Sequence, residues 1–216
     1  MAAIAGRNTV RHPLFARAFH RVSGVMEREV GRHRDALLAG LSGEVVEVGA
    51  GNGMNFGHYP TSVLRVVAVE PDPYLRARAE DAAHRADVPV TVLDALADEL
   101  PLADASVDAA VCSLVLCSVP DQRRALAELR RVVRPGGELR VFEHVRSATA
   151  RKARVQAAVD RSGVWARLAG GCHCARDTLA AIADAGFRPA GMRHVDVGPA
   201  WLPANPYVLG RAVAAP

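Results

Sequence analysis

Lysine is nearly absent from this chain of 216 residues. Lys152 is the single lysine among its 27 basic residues, and the others are arginines. A preference this one-sided is more typical of a GC-rich coding bias than of a surface selected to bind phosphate groups. The isoelectric point of about 9.2 therefore carries little weight. We expect no nucleic-acid partner.

Long apolar runs are also lacking. No stretch of about 18 apolar residues could cross a bilayer, and the N-terminus has neither the apolar core nor the cleavage site of a signal peptide. These absences predict a cytoplasmic protein. The first forty residues hold seven arginines against three acidic residues. We favour a solvated helix face there and leave open a contact with an acidic membrane surface.

The rest of the chain predicts one domain, with an N-terminal helical cap over residues 1–41 and an α/β core over residues 42–216. Apolar residues in 13–41 recur at helical spacing, and Gly24 and Gly31 are expected to divide that stretch into shorter helices. Phe15, Phe19 and Met26 are expected to belong to the core or a lid. Strands are predicted at 44–48, 63–69, 90–93, 107–116 and 138–143, and helices at 74–85, 121–133, 150–168 and 177–185. Such alternation predicts a doubly wound, mostly parallel sheet.

In such a sheet the ligand binds outside the carboxyl ends of the strands. The first strand ends in a glycine-rich loop, where a tight turn and close backbone approach would place a carboxylate or phosphate group before a helix: Glu47, Val48, Gly49, Ala50, Gly51, Asn52 and Gly53. A dinucleotide-binding loop would require a third glycine where Met54 stands. This mismatch argues against a nicotinamide oxidoreductase, which remains an alternative.

Acidic residues follow the next two strands. Glu70 lies about twenty residues beyond the glycine loop, where a carboxylate accepts hydrogen bonds from the hydroxyls of a ribose. Asp94, followed by Ala95, is placed to accept from an exocyclic amine such as that of adenine. The three strand ends together predict a nucleoside ligand.

This ordered set resembles the class I methyltransferases, as do the segments at 100–102, 106–108 and 134–137. The resemblance implies a seven-stranded Rossmann-like sheet, with an antiparallel strand near residues 207–213. It also implies that the glycine loop holds the methionine part of S-adenosylmethionine, Glu70 the ribose, and Asp94 with Ala95 the adenine. Asn55, Pro71 and Cys112 complete the residues expected to contact the cofactor.

Within that superfamily, the segments at 55–60, 111–119, 143–145 and 171–178 resemble a group that includes the alkyl-thiol methyltransferases. The resemblance implies a small-molecule acceptor, with a thiol favoured over a phospholipid amine or a quinone precursor. A catalytically silent cofactor-binding module is a further alternative. The sequence does not indicate an oligomeric state.

Three residues near the acceptor are candidates for a catalytic role. His144 follows the fifth strand, and His173 and Arg176 lie in a loop rich in glycine and cysteine. A base or a positive charge there would raise the thiolate fraction of an acceptor thiol, whose free pKa is about 8.5. No metal is expected, because the adjacent residues Cys172, His173 and Cys174 would chelate one tetrahedral ion poorly.

Overall fold

The computed structural model describes residues 13–215 of the chain, apart from the side chains of Val25 and Met26. The expectation for Met26, and part of the arginine-rich segment, therefore lie outside the described residues. The helices are α1 (Pro13–Leu38), α2 (Pro73–Ala83), α3 (Gln122–Val132), α4 (Ala150–Ser162), α5 (Val164–Leu168) and α6 (Thr178–Asp184). The strands are β1 (Gly43–Val48), β2 (Val63–Val69), β3 (Val90–Leu93), β4 (Val107–Ser113), β5 (Val133–His144), β6 (Phe187–Val195) and β7 (Tyr207–Ala214).

The seven strands form one sheet in the order β3-β2-β1-β4-β5-β7-β6. Strands β1 to β5 pair in parallel, whereas β7 runs antiparallel to both β5 and β6. The doubly wound fold and the antiparallel strand near residue 207 are thereby confirmed. The strand order reverses between β1 and β4, and a ligand crevice is expected at the carboxyl ends of these two strands.

Both faces of the central strands are buried, which explains their continuous β-branched sequences. In β1, Val46 and Val48 pack into one apolar cluster and Val45 into a second cluster on the other face. All three side chains are at most 1% exposed. Because the two clusters fix the register of β1, they also fix where the glycine loop after it begins.

The N-terminal helix differs from its prediction. Residues Pro13–Leu38 form one continuous helix in which Gly24 and Gly31 cause no break. Tertiary packing offsets the low helix propensity of glycine, because Val30, Leu37 and Leu38 are buried against the sheet. Within residues 13–215, no helix is both long and apolar enough to cross a membrane.

Other predictions were wrong at particular residues. No α-helix follows the glycine loop, and the connection to β2 contains only a 3-10 turn at Phe56–His58. Glycines, asparagines and a proline crowd this connection, and each is a poor helix former. The predicted helix at 150–168 divides at Gly163, whose φ is +66°. Strand β4 ends at Ser113, before Leu114 with its φ of +60°.

Candidate functional site

A cavity of about 380 Å³ opens at the carboxyl ends of β1, β2 and β4, next to the point where the strand order reverses. Nine of the residues expected to bind the cofactor line it: Glu47, Gly49, Ala50, Gly51, Asn52, Asn55, Glu70, Pro71 and Ala95. The sheet thus brings together segments that are up to about fifty residues apart in sequence. One continuous binding site is the result.

The glycine loop is held against the sheet by its own backbone. The amides of Gly49 and Ala50 both donate to the carbonyl of Val69, at 2.9 and 3.1 Å. Gly49 has a φ of +67°, and a Cβ there would overlap the side chain of Val115. A larger residue at position 49 would therefore push the loop and the β4 turn apart.

Glu70 is the acidic group best placed to bind a sugar diol. Its carboxylate lines the cavity and accepts hydrogen bonds from the amides of Gly51 at 2.8 Å and Asp72 at 2.9 Å. The side chain is only 6% exposed. Burial, with a smaller contribution from the Asp72 carboxylate, raises the pKa of Glu70 to about 7. The two hydrogen bonds favour the ionised carboxylate and so oppose this shift. Each oxygen keeps a further lone pair for a ribose hydroxyl.

Glu47 sits beneath the loop and holds it in place. Its carboxylate accepts from Asn55 Nδ2 at 2.8 Å and from the Tyr59 hydroxyl at 2.6 Å. Burial raises the pKa of Glu47 to about 6, although both hydrogen bonds and the charge of Arg34 oppose the shift. Because Glu47 and Asn55 bond to each other, they fix the shape of the loop.

Helix α1 reaches this network through Arg34, which sequence reasoning missed. Arg34 Nη1 donates to Asn55 Oδ1 at 2.6 Å, and the guanidinium also lines the cavity. Farther along the same helix, Ser23 Oγ accepts from Asn52 Nδ2 at 2.9 Å. The helix therefore fixes two side chains of the glycine loop and places a positive charge at the end that would receive an amino-acid carboxylate.

Three expected cofactor residues lie elsewhere among the described residues. Asp94 does not line the cavity, and its Oδ1 lies 3.2 Å from Arg76 Nη1. Cys112 is fully buried in the core behind the cavity wall, and Gly53 lines a neighbouring depression beside His20. Where adenine was expected, the cavity is lined instead by Ala95 and by the chain that follows it, residues 96–98.

Aromatic residues of α1 form an apolar wall of the cavity. Phe15 and Phe19 stack with ring centroids 5.7 Å apart, and both line the cavity. A Cβ at Gly170, whose φ is +60°, would overlap the Phe15 ring. The loop after α5 thus closes directly against the N-terminal helix, which matches the expectation that these phenylalanines are core or lid residues.

The candidate catalytic residues separate into two groups. His144 Nδ1 lies 3.1 Å from Cys172 Sγ, and Arg176 Nη1 donates to the carbonyl of Leu116 at 2.7 Å. The imidazole of His173 faces Asp160 instead, with 3.9 Å between Nδ1 and Oδ2. His144 and Arg176 therefore belong to one cluster, and the His173 ring lies apart from it.

A buried thiol, Cys117, joins this cluster from the turn that follows β4. Hydrogen bonds from Cys117 and His144 lower the pKa of Cys172, and the same contact raises the pKa of Cys117. The cluster adjoins the cavity, because the cavity is lined by Ser118, which follows Cys117 directly, and by Gly170, two residues before Cys172. Cys117, His144 and Cys172 are separated by 27 and 28 positions in the sequence, so no local spacing signals their contact.

Comparison with known proteins identifies the family to which this chain belongs. Residues 46–141 match the model of a methyltransferase domain. Human thiol S-methyltransferase TMT1B is 36% identical over 183 residues, which cover 82% of this chain and 73% of that protein. Human thiol S-methyltransferase TMT1A is 34% identical over 184 residues, with the same two shares.

Solved structures agree on the fold. The Burkholderia thailandensis 1,6-didemethyltoxoflavin-N1-methyltransferase, solved with S-adenosylhomocysteine bound, is 21% identical to this chain with a TM-score of 0.67. The match covers 100% of this chain and 92% of that one. The glycine loop fits the same class of nucleoside cofactor, as does the buried Glu70, whose carboxylate has lone pairs for the hydroxyls of a ribose.

Proposed function

Because this chain belongs to the class I S-adenosylmethionine-dependent methyltransferases, we propose that it methylates a small, partly apolar thiol. The observation that carries the proposal is the similarity to thiol S-methyltransferases across 82% of the chain. This similarity extends well beyond the matched methyltransferase domain at residues 46–141, so it includes more than the shared cofactor loops.

The cofactor supplies an electrophilic methyl group on a sulfonium when it is bound. Glu70 would accept hydrogen bonds from the ribose hydroxyls, and Arg34 would face the carboxylate of the methionine part. The glycine loop, held by Glu47 and Asn55, would set how deeply the cofactor binds in the cavity. These contacts align the methyl group with the acceptor. Such alignment can lower the activation barrier of an in-line displacement by about 7–11 kcal/mol.

The acceptor is placed against the wall formed by Phe15 and Phe19. Bound S-adenosylmethionine would supply its methyl group to the acceptor sulfur by in-line displacement, with S-adenosylhomocysteine as the leaving group and a methyl thioether as the product. The acceptor thiol would lose its proton to bulk water before attack, because the thiolate is the nucleophile. Exclusion of water by the two phenyl rings strengthens the electrostatic interactions around the reacting atoms.

Arg176 provides positive charge near the acceptor end. Its guanidinium is anchored on the carbonyl of Leu116, whose neighbour Val115 lines the cavity. A nearby cation lowers the pKa of a thiol and so raises the thiolate fraction at neutral pH. His144, held by Cys172 and by an edge contact of 4.6 Å with the Tyr207 ring, acts as a positioning residue in this account.

The test is a comparison of matched acceptors. Purified protein is incubated with S-adenosylmethionine and, in parallel, with a six-carbon thiol, the corresponding alcohol, the corresponding primary amine, a quinol and phosphatidylethanolamine. We expect a methyl thioether from the thiol at a kcat/KM at least about a hundredfold above the other acceptors. Methylation of the quinol or the lipid amine without thiol turnover would replace the thiol assignment and leave the cofactor assignment intact.

A further inference from the structure

Three side chains with metal-ligating atoms meet beside the acceptor end of the cavity. The two sulfurs of Cys117 and Cys172 and an imidazole nitrogen of His144 all lie within 4.8 Å of one another. Cys117 comes from the turn after β4, His144 from the last residue of β5, and Cys172 from the loop after α5. Three separate segments therefore converge on one point.

The spacing of these atoms suits a tetrahedral zinc ion. Bonds of about 2.3 Å to sulfur and about 2.0–2.1 Å to nitrogen place tetrahedral ligand atoms roughly 3.4–3.8 Å apart. His144 Nδ1 and Cys172 Sγ are 3.1 Å apart, and the longest separation in the cluster is below 4.8 Å. Movements of about an ångström or less would bring all three atoms to bonding distance.

One buried carboxylate positions two of the three ligands. Glu143, which is fully buried, accepts hydrogen bonds from the amides of Val115 at 2.7 Å, Leu116 at 2.8 Å and Cys117 at 3.3 Å. It therefore clamps the turn that carries Cys117, and it precedes His144 directly in β5. Glu143 thus acts on the cluster through the backbone, by fixing the turn that carries Cys117 beside the end of β5 that carries His144.

The third ligand, Cys172, has a buried indole donor beside it. The Nε1 of Trp165 lies next to the Cys172 thiol and has no other hydrogen-bond partner among the described residues. An indole N–H donates only, so its natural partner is a thiolate sulfur. A zinc-bound Cys172 thiolate would accept this N–H, as ligands in metal sites commonly do from groups around them.

We propose that Cys117, His144 and Cys172 form a binding site for zinc that has three protein ligands and leaves one tetrahedral position for an exogenous ligand. Sulfur and imidazole donors select zinc over the oxygen-preferring magnesium and calcium ions. This site differs from the adjacent triplet at residues 172–174, of which only Cys172 takes part. Cys174 Sγ lies 3.3 Å from Asp160 Oδ1 and belongs to a separate contact.

Cobalt provides a direct spectroscopic test that needs no methyl acceptor. Full-length protein, stripped with a chelator and kept reduced and anaerobic, is titrated with Co(II), and zinc affinity is then measured by competition with a chromophoric chelator. We expect one Co(II) per chain, with thiolate-to-cobalt charge-transfer bands and the intense visible bands of tetrahedral cobalt, all displaced by one zinc. Cys117→Ser, His144→Asn and Cys172→Ser should each weaken binding by more than about a hundredfold, beyond the loss typical of outer-shell changes.

Cys174→Ser is the matched control, because it removes a neighbouring buried thiol that contributes no ligand. Binding of S-adenosylhomocysteine and the thermal unfolding midpoint establish that each variant is folded. The proposal is overturned if folded, reduced wild-type protein gives no tetrahedral cobalt bands, or if only Cys174→Ser abolishes them. Isolation of a Cys117–Cys172 disulfide whose reduced form binds no metal would also overturn it. Methyl transfer is assayed separately, so failure of this site and failure of the proposed function are distinguishable.

Discussion

Glu70 should make cofactor binding depend on pH between 6 and 8. Its pKa is raised to about 7 by burial, whereas the ribose hydroxyls donate hydrogen bonds and therefore favour the ionised carboxylate. Binding must expel a proton wherever Glu70 is protonated in the free protein, so affinity falls as pH falls through about 7. About nine-tenths of the carboxyl is ionised at pH 8 and about one-tenth at pH 6, which gives a roughly tenfold higher Kd at pH 6.

Calorimetric titration with S-adenosylhomocysteine at pH 6, 7 and 8 measures this dependence. Repeating each titration in two buffers with different ionisation enthalpies counts the protons released, which should approach one at pH 6. Glu70→Gln removes the titrating group and should flatten the pH profile, and this controls for titration of the ligand itself. Equal affinity at pH 6 and 8 in the wild type, or tighter binding at pH 6, would refute the assignment of Glu70 to the ribose.

Three further substitutions test other parts of the account. Phe19→Ala should raise KM for an alkyl thiol by about tenfold through lost apolar contact, with little change in cofactor Kd; an unchanged KM would remove α1 from the acceptor wall. Arg176→Met should move the pH profile of kcat/KM for the thiol to higher pH by up to about one unit, and Arg176→Lys should restore the profile. If kcat/KM of Arg176→Met falls equally at every pH, the role of Arg176 is structural. Asp121→Ala should cost about 1 kcal/mol in urea unfolding, because the Asp121 carboxylate caps α3 by accepting from the Arg124 amide at 3.0 Å; an unchanged midpoint would show that the cap contributes nothing.

The sheet was predictable because its signals are local. Runs of β-branched residues mark β1 and β2, and each ends at a residue type that parallel sheets use to bind ligands, such as Gly49 or Glu70. The order of these motifs along the chain predicts a nucleoside ligand, since parallel topology brings strand ends together. The identity of the cofactor came from the resemblance to the class I methyltransferases. Local signals failed for α1, where packing of Val30 and Leu37 keeps a helix intact across Gly31.

The acceptor side was only partly predictable, because its contacts are long-range. His144 and Arg176 were identified as candidates, but nothing in the sequence places Cys117 beside Cys172. Cys117 lies in the turn that follows β4, and that turn exists because Leu114 adopts a positive φ and Glu143 binds the next three amides. Arg34 was missed for the same reason, since a helix arginine usually faces solvent and here reaches Asn55.

Methyl transfer to a thiol can be followed through the methyl group itself. Purified protein is incubated with S-adenosylmethionine carrying a deuterated methyl group and with an alkyl thiol, and the products are identified by mass spectrometry. We expect a trideuteromethyl thioether and S-adenosylhomocysteine in equal amounts, with formation strongly reduced in Glu70→Ala at limiting cofactor. Tight binding of S-adenosylhomocysteine without any labelled thioether, across thiols of different size, would show that the protein is not a thiol methyltransferase.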